Sequence, residues 1–131
     1  MILDTNFLIA LDAQDKSAQQ LAVELEAAAI PLRVPTAVLF ELYISVGAGE
    51  DAVGNVRNYE ALLANKPTVE LTPNIARRAG VLEGLHLQSD GKPALGPVDA
   101  IVAATGRVYN EAVVSDDGDF ESVEELTVES W

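Results

Sequence analysis

Four positions along the chain carry carboxylates whose surroundings make them candidates for chemistry. Asp4 directly follows two apolar residues in MILDTN, and Asp117 lies in the acidic turn SDDGDF, after the apolar stretch AVV. Glu41 lies inside AVLFELYISV, and Asp99 lies at the start of an apolar segment in GPVDAIVAA. A buried carboxylate without a partner is costly, so such groups are normally paired or bound to a metal.

Each of these acids also has a purely structural interpretation. Asp4 is a residue type that often caps a helix, and Asp99 in a first helical turn gains from the helix dipole. Glu41 is compatible with the solvent edge of an amphipathic helix, and the acids of SDDGDF are compatible with a solvated turn. Four separate coincidences are needed to explain all of them in this way, which favours a common site.

A site built only from carboxylates suits a hard divalent cation. Mg²⁺ and Mn²⁺ prefer oxygen ligands, and two such ions can activate a water and stabilise the leaving oxygen of a phosphodiester. The chain has no cysteine and a single histidine, His86, which excludes disulfides, thiolate sites and histidine-cluster metal sites. Carboxylate-bound magnesium or manganese is therefore the metal chemistry that this composition predicts.

Short apolar strands alternate with helices along the chain, as expected for an α/β fold with a short, mostly parallel sheet flanked by helices. The predicted strands are Ile2 to Leu3, LRVPT, TVEL, AVVS and LTVE. Helices are predicted over 6–11, from an N-cap at Ser17, from a cap at Thr36 to Gly47, over 50–65, from Thr72 and Pro73 to Leu87, and over VDAIVAATGRVYN. In open α/β sheets ligands bind beyond the carboxyl ends of the strands, where both Asp4 and SDDGDF lie.

The length of 131 residues predicts a single domain over residues 1–131. A formal net charge of −13, from 21 acidic and 8 basic residues, accompanies 49% apolar composition, so the charge predicts an acidic surface rather than disorder. Such a surface is typical of proteins that stay soluble in concentrated salt. No apolar run approaches the roughly 20 residues of a spanning helix, and the first residues lack signal-peptide features, which predicts a cytoplasmic protein.

In order and spacing these motifs resemble those of the PIN-domain ribonucleases, and within them the VapC-like toxins of type II VapBC toxin–antitoxin pairs. The resemblance covers nearly the whole chain through ILDTN, the lone Glu41, GPVDAIVAATG, VVSDDGDF and LTVE. It implies a PIN-like three-layer sandwich and a metal-dependent endoribonuclease with Asp4, Glu41, Asp99 and Asp117 as the acidic quartet.

The resemblance also implies a role for each acid. Asp4, Asp99 and Asp117 would hold one or two Mg²⁺ or Mn²⁺ ions while Glu41 orients the attacking water, and hydrolysis would leave a 5′-phosphate and a 3′-hydroxyl. Asp116 occupies a variable position of the turn and ranks below Asp117. Auxiliary groups that hold a carboxylate or a water are Thr5, Asn6, Ser115, which stands where the family usually has threonine, and Asp119.

The expected partners are an RNA substrate with single-stranded loops, a cognate antitoxin and a second copy of the chain. A homodimer with an antitoxin segment beside the site is predicted from the apolar crowding of Val38, Phe40, Leu42 and Tyr43. Affinity for RNA usually rests on lysine and arginine, and this chain has few of either. Its guanidinium groups are those of Arg33, Arg57, Arg77, Arg78 and Arg107.

Three other functions remain open from the sequence. A catalytically silent PIN-like module would bind RNA or protein, and metal binding without cleavage would indicate it. A phosphatase of the haloacid-dehalogenase type also has a strand ending in aspartate, but it requires Asp-x-Asp and here the third residue is Asn6. The last is a complex subunit that mainly binds DNA together with an antitoxin.

Overall fold

The centre of the molecule is a parallel sheet made of very short apolar strands. The computed structural model describes residues 1–131, with the exception of the side chain of Ala52. Its strands are β1 Ile2–Leu3, β2 Val34–Pro35, β3 Thr68–Val69, β4 Val113–Val114 and β5 Val128–Glu129. Both residues of β1 and both residues of β4 are fully buried. Because successive side chains of a strand point to opposite faces, the sheet is covered on both of them.

The strand order places a crossover point at the middle of the sheet. β1 pairs with β4, β4 pairs with β5, and β2 pairs with β3, all in parallel. A bridge between Ile2 and Arg33 joins the two sets, with Leu3 N donating to Arg33 O at 2.9 Å. The overall order is therefore β3-β2-β1-β4-β5. The chain leaves β1 toward one edge and later returns to its other side at β4, and ligands bind at such switch points.

Six helices surround this sheet in the described part of the chain. They are α1 Thr5–Asp12, α2 Lys16–Ala27, α3 Thr36–Ala48, α4 Ala52–Leu63, α5 Pro73–Gln88 and α6 Pro97–Tyr109, with a 3₁₀ turn at Gly118–Ser122. Phe7, Val38, Val102 and Phe120 bring fully buried side chains from these elements into the core. No helix of the described residues has the combined length and apolar character needed to cross a membrane. The predicted α/β fold with a parallel sheet is confirmed.

Two predicted helix caps are wrong, and in both cases a neighbouring contact explains why. α2 begins one residue before Ser17, because the Asp15 carboxylate accepts the Ala18 N–H at 2.9 Å and caps the helix. The Thr36 hydroxyl accepts the Leu71 N–H at 3.2 Å, so it ties the start of α3 to the chain beyond β3 and caps no helix. The cap predicted at Thr72 is confirmed by its contact with the first turn of α5.

A clamp on α5 fixes the loop that leads into α6. The Glu83 carboxylate accepts the N–H groups of Leu95 and Gly96, at 2.9 Å and 3.1 Å. His86 Nδ1 donates to a carbonyl oxygen of the same loop at 2.9 Å. Gly96 has φ +85°, a conformation that glycine adopts without strain, and α6 starts directly after it. These contacts set the position of Asp99, in the first turn of α6.

We expect Glu83→Gln to destabilise the fold, because a glutamine offers one acceptor oxygen and its amide would face an N–H donor. The free energy of unfolding should fall by about 1–3 kcal/mol, the usual cost of a lost hydrogen bond to a charged group. Urea denaturation of both variants measures this loss. Glu60→Gln, on the exposed side of α4, makes the same charge change as a control. Equal stability of the two variants would show that the clamp is not needed.

Candidate active site

The register of the two central strands places Asp4 beside Ser115. Leu3 pairs with Val114, so the next residue of each strand leaves the sheet at the same level of its carboxyl edge. Ser115 Oγ donates to Asp4 Oδ2 at 2.8 Å, and the Asp4 N–H donates to Val114 O at 3.2 Å. Asp4 is only 4% exposed and Ser115 only 1%. A buried carboxylate therefore lies at the switch point of the sheet.

Asp4 occupies the N-cap position of α1, but its side chain makes no capping hydrogen bond. Its Oδ1 is buried and has no hydrogen-bond partner among the described residues, and the same holds for the hydroxyl of the adjacent Thr5. Buried polar atoms are nearly always satisfied, and an orphan calls for an explanation. The capping interpretation does not supply one, whereas a ligand bound at these two oxygens does.

The turn after β4 is built around the Ser115 hydroxyl. Ser115 Oγ accepts the Asp117 N–H at 3.1 Å and lies 3.3 Å from Asn6 Oδ1. Asn6 Nδ2 in turn donates to the carboxylate of the exposed Asp116. Asp117 Oδ1 accepts the Asp119 N–H at 2.9 Å. The hydroxyl therefore holds the Asp4 carboxylate and the start of the acidic turn in one network, while Asp116 points to solvent.

Asp99 reaches the same region from the first turn of α6, where it is half-buried. Its pKa is raised to about 7, first by burial and then by four negative charges, those of Asp4, Glu41, Asp117 and Asp119. Like charges raise a carboxyl pKa only when they lie nearby. The acids that the sequence singled out on two strand ends and two helices are thus within electrostatic reach of one another.

The pKa of Asp4 is raised as well, to about 6. Burial is the main cause, and the charges of Glu41 and Asp117 add to it. The Ser115 hydroxyl and the Thr5 N–H act in the opposite direction and lower this pKa. Two raised carboxyl pKa values in one place mean that the protein holds this cluster of negative charge at a cost in free energy.

The cluster fits a hard divalent cation in its chemistry, although it does not form a closed coordination shell. In the part of the chain that the structure describes, no group of three or more Asp, Glu, His or Cys side chains has the arrangement of a metal site. Every donor is nevertheless an oxygen, and Asp4 offers one that nothing else satisfies. A doubly charged cation would relieve both the repulsion and the orphaned oxygen.

A cavity of about 260 Å³ opens next to Ser115, and sequence reasoning missed two of the residues that line it. Glu121 and Trp131 form part of its wall together with Asp117. The Trp131 ring also packs on buried Phe7, with 5.0 Å between the ring centroids. The sequence position of Trp131 could have indicated this, because the residue follows closely after β5 and so lies at the same carboxyl edge of the sheet as Asp4 and Ser115.

Comparisons with known proteins agree with this architecture. The family model described as the PIN domain matches residues 1–126. The crystal structure of VapBC2 from Rickettsia felis, bound to a DNA fragment from its promoter, contains a chain with 19% identity and a TM-score of 0.86. That match covers 99% of this chain and 97% of the other. Curated protein sequences gave no match.

Two further structures share the fold. VapBC-1 from nontypeable Haemophilus influenzae matches with a TM-score of 0.82 and 19% identity, over 99% of this chain and 96% of that chain. VapC20 from Mycobacterium tuberculosis, described as a sarcin–ricin loop cleaving toxin, matches with a TM-score of 0.68 and 20% identity, over 92% of each chain. The TM-scores show a shared fold, and at identities of 19–20% the likeness shows the fold alone.

The raised pKa values predict that the metal-free protein loses stability as the pH rises. A carboxyl group whose pKa is higher in the folded state binds its proton more tightly there. Its stabilising contribution is complete below about pH 4 and is lost as the pH rises through about 6 for Asp4 and about 7 for Asp99. For buried Asp4 the loss is at most on the order of 3 kcal/mol, at about 1.4 kcal/mol per pKa unit.

Asp4→Asn removes this charge and keeps an oxygen that can accept the Ser115 hydrogen bond. In chelator, we expect the variant to lose less stability than the wild type between pH 4 and pH 8, and to be at least as stable at pH 8. Urea denaturation across this range measures the difference. Asp12→Asn makes the same charge change at an exposed position and should retain the wild-type pH dependence. Identical pH profiles for all three proteins would contradict the charge cluster.

Proposed function

The chain belongs to the PIN domain family, and from that premise we propose that it is a metal-dependent endoribonuclease over residues 1–131, the toxin of a VapBC-type toxin–antitoxin pair. The observation that carries the proposal is the buried Asp4 carboxylate at the switch point of the sheet, with one unsatisfied oxygen and further acids around it. Two of the similar structures are VapBC proteins and a third is described as a sarcin–ricin loop cleaving toxin, which supports the same function here.

In the proposed mechanism Asp4, Asp99 and Asp117 would hold one or two Mg²⁺ or Mn²⁺ ions. When bound, such ions supply a Lewis acid that activates water and stabilises the leaving oxygen of a phosphodiester. Glu41, on α3, accepts a hydrogen bond from the attacking water and orients it toward the phosphorus. The products are a 5′-phosphate and a 3′-hydroxyl. Single-stranded loops of structured RNA are the proposed substrates, because their backbone is exposed.

The surrounding polar residues keep these carboxylates in place. Ser115 fixes one oxygen of Asp4, which leaves the other oxygen for a ligand. The N–H of Asp119 likewise fixes one oxygen of Asp117. Asn6 supports the Ser115 hydroxyl, and the Thr5 hydroxyl has no partner within the described part of the protein and would be free to bond a water in the site. Residues in such supporting positions normally tune a metal site by orienting its ligands.

An antitoxin segment is the proposed partner on the α3 surface beside the site. Val38 and Leu42 are buried in the core and offer no surface. Phe40 and Ile44 are 67% and 54% exposed, and they lie on the same helix as Glu41. An apolar segment docked over them would cover the entrance beside Glu41. We propose that the protein acts in the cytoplasm, in concentrated salt that screens its charge.

A catalytically silent PIN-like module is the second candidate. It is favoured by one observation, that the described acids do not form a closed metal-binding group. Such a module would bind RNA or a protein partner at the same surface without hydrolysing a phosphodiester. Cleavage assays with a folded, metal-loaded protein therefore separate the two proposals.

We expect the wild type to cleave RNA with single-stranded loops in Mg²⁺ or Mn²⁺ at high salt, and Asp4→Asn to reduce cleavage by more than about 100-fold. Loss of supporting residues alone costs metal sites about 10–100-fold, and loss of a ligand should cost more. Gel analysis of end-labelled RNA measures the rate and identifies the 5′-phosphate. Asp12→Asn is the charge-matched control. If folded Asp4→Asn cleaves RNA at a rate within a few-fold of the wild-type rate, Asp4 is not part of the catalytic site.

We also expect a homodimer whose population grows with salt concentration. Exposed apolar side chains that the antitoxin segment leaves uncovered, including Leu87 on α5, provide surface for an interface. Two chains of net charge −13 repel one another, and salt screens that repulsion. Light scattering should report twice the mass of one chain in concentrated salt. A monomer at every protein concentration, including in multimolar salt, would contradict the dimer.

A further inference from the structure

Three arginines of this acidic chain line one groove between α5 and α6. The groove has a volume of about 400 Å³, and Arg77 and Arg78 on α5 face Arg107 on α6 across it. Val81 and Leu85, both exposed, form part of its apolar floor. The groove runs along α5 from Asn74 to Leu85 and meets the C-terminal half of α6. It therefore lies at the other end of α6 from Asp99.

The concentration of positive charge in this groove is unusual for the molecule. The chain has only 8 lysine and arginine residues against 21 acids, and three of the eight line the groove. Elsewhere Arg33 pairs with Glu111 at 2.9 Å and Lys92 pairs with Glu124 at 3.3 Å. Lys66 is half-buried and donates to a backbone carbonyl oxygen. Three of the five arginine side chains of the protein therefore line this one groove.

These guanidinium groups are available to a ligand. No salt bridge joins Arg77 or Arg78 to a carboxylate within the described residues, and both side chains are exposed. Arg78 Nε donates to Oδ1 of Asn74, which also lines the groove, at 3.1 Å. Arg107 lies 3.6 Å from the highly exposed Glu125. A surface ion pair of this kind is weak, and a polyanion can displace it.

We propose that this groove binds the phosphate backbone of single-stranded RNA, a proposal that rests on the ribonuclease function proposed above. The planar guanidinium matches the geometry of phosphate, and its hydrogen bonds to phosphate are charge-assisted. The carboxylate cluster repels phosphate, so a substrate held there needs a positively charged anchor elsewhere on the protein. The apolar floor can pack against ribose and base.

The spacing along α6 suits a strand of a few nucleotides. Asp99 and Arg107 are eight residues apart in one helix, which corresponds to about 12 Å along its axis and a turn of about 80° around it. A strand stacked as in a duplex carries one charge about every 3.4 Å of axis, and an extended single strand carries fewer, so at most three or four phosphates cover this distance. Because the path bends around the helix, a flexible single strand fits it better than a rigid duplex.

RNA binding without cleavage tests the proposal. In the Asp4→Asn background and with chelator present, fluorescence anisotropy of a labelled stem–loop RNA is measured over a range of salt concentrations. Arg77→Gln with Arg78→Gln should weaken binding by at least about 10-fold. The slope of log affinity against log salt is negative, and its magnitude should decrease by about 1.4, at about 0.7 for each lost phosphate contact to a single strand. Lys16→Gln with Arg57→Gln, at exposed positions outside the groove, removes the same charge and should keep the wild-type slope.

Other outcomes overturn the proposal and identify what replaces it. The Arg77 and Arg78 variant could bind RNA with unchanged affinity and salt slope while the wild type still cleaves RNA. That result would show that RNA does not bind in the groove, and the proposed ribonuclease function would stand. Tighter binding of polyglutamate than of RNA would assign the groove to an acidic protein. Val81→Ser with Leu85→Ser that dissociates a dimer without changing RNA affinity would assign it to a second copy. Absence of both RNA binding and cleavage would overturn the ribonuclease proposal as well.

Discussion

The hydrogen bond from Ser115 to Asp4 joins the two central strands at the point where the rest of the site is assembled. It exists because β1 and β4 pair in parallel and in a register that lets both strands end at the same level. The same hydroxyl receives the Asp117 N–H, so one buried group positions two of the proposed metal ligands. Asp4 makes no capping hydrogen bond to α1, and its second oxygen is left without a partner among the described residues.

The packing of α6 has to hold Asp99 against the repulsion of this cluster. Gly106 lets the helix approach the sheet closely, because a Cβ there would lie 2.9 Å from Leu126 Cδ1 and 3.0 Å from Val113 Cγ2. The Glu83 clamp fixes the other end of the helix. Rigid supports of this kind explain how a chain of net charge −13 can keep several acids together. The positive charge that a polyanionic substrate requires is then left to the groove at the far end of α6.

Much of this arrangement is predictable from the sequence, because strand ends in a parallel sheet are defined by short apolar runs. Asp4 and the SDDGDF turn could be placed at one edge before any coordinates were known. The starts of α2 and α3 were harder to predict. Asp15, two residues before Ser17, is an equally good N-cap by residue type, and the contact that occupies the Thr36 hydroxyl comes from a distant segment. The grouping of Arg77 and Arg78 with Arg107 also depends on how two helices pack, which local patterns do not specify.

The central claim is that Asp4, Asp99 and Asp117 converge to bind a divalent cation, and anomalous scattering from manganese-soaked crystals tests it most directly. The account predicts an anomalous peak within coordination distance of these three carboxylates, in contact with the Asp4 oxygen that has no other partner. The same soak of Asp4→Asn crystals should weaken or abolish that peak. A manganese peak at another acidic patch, with none between these three residues, would contradict the account.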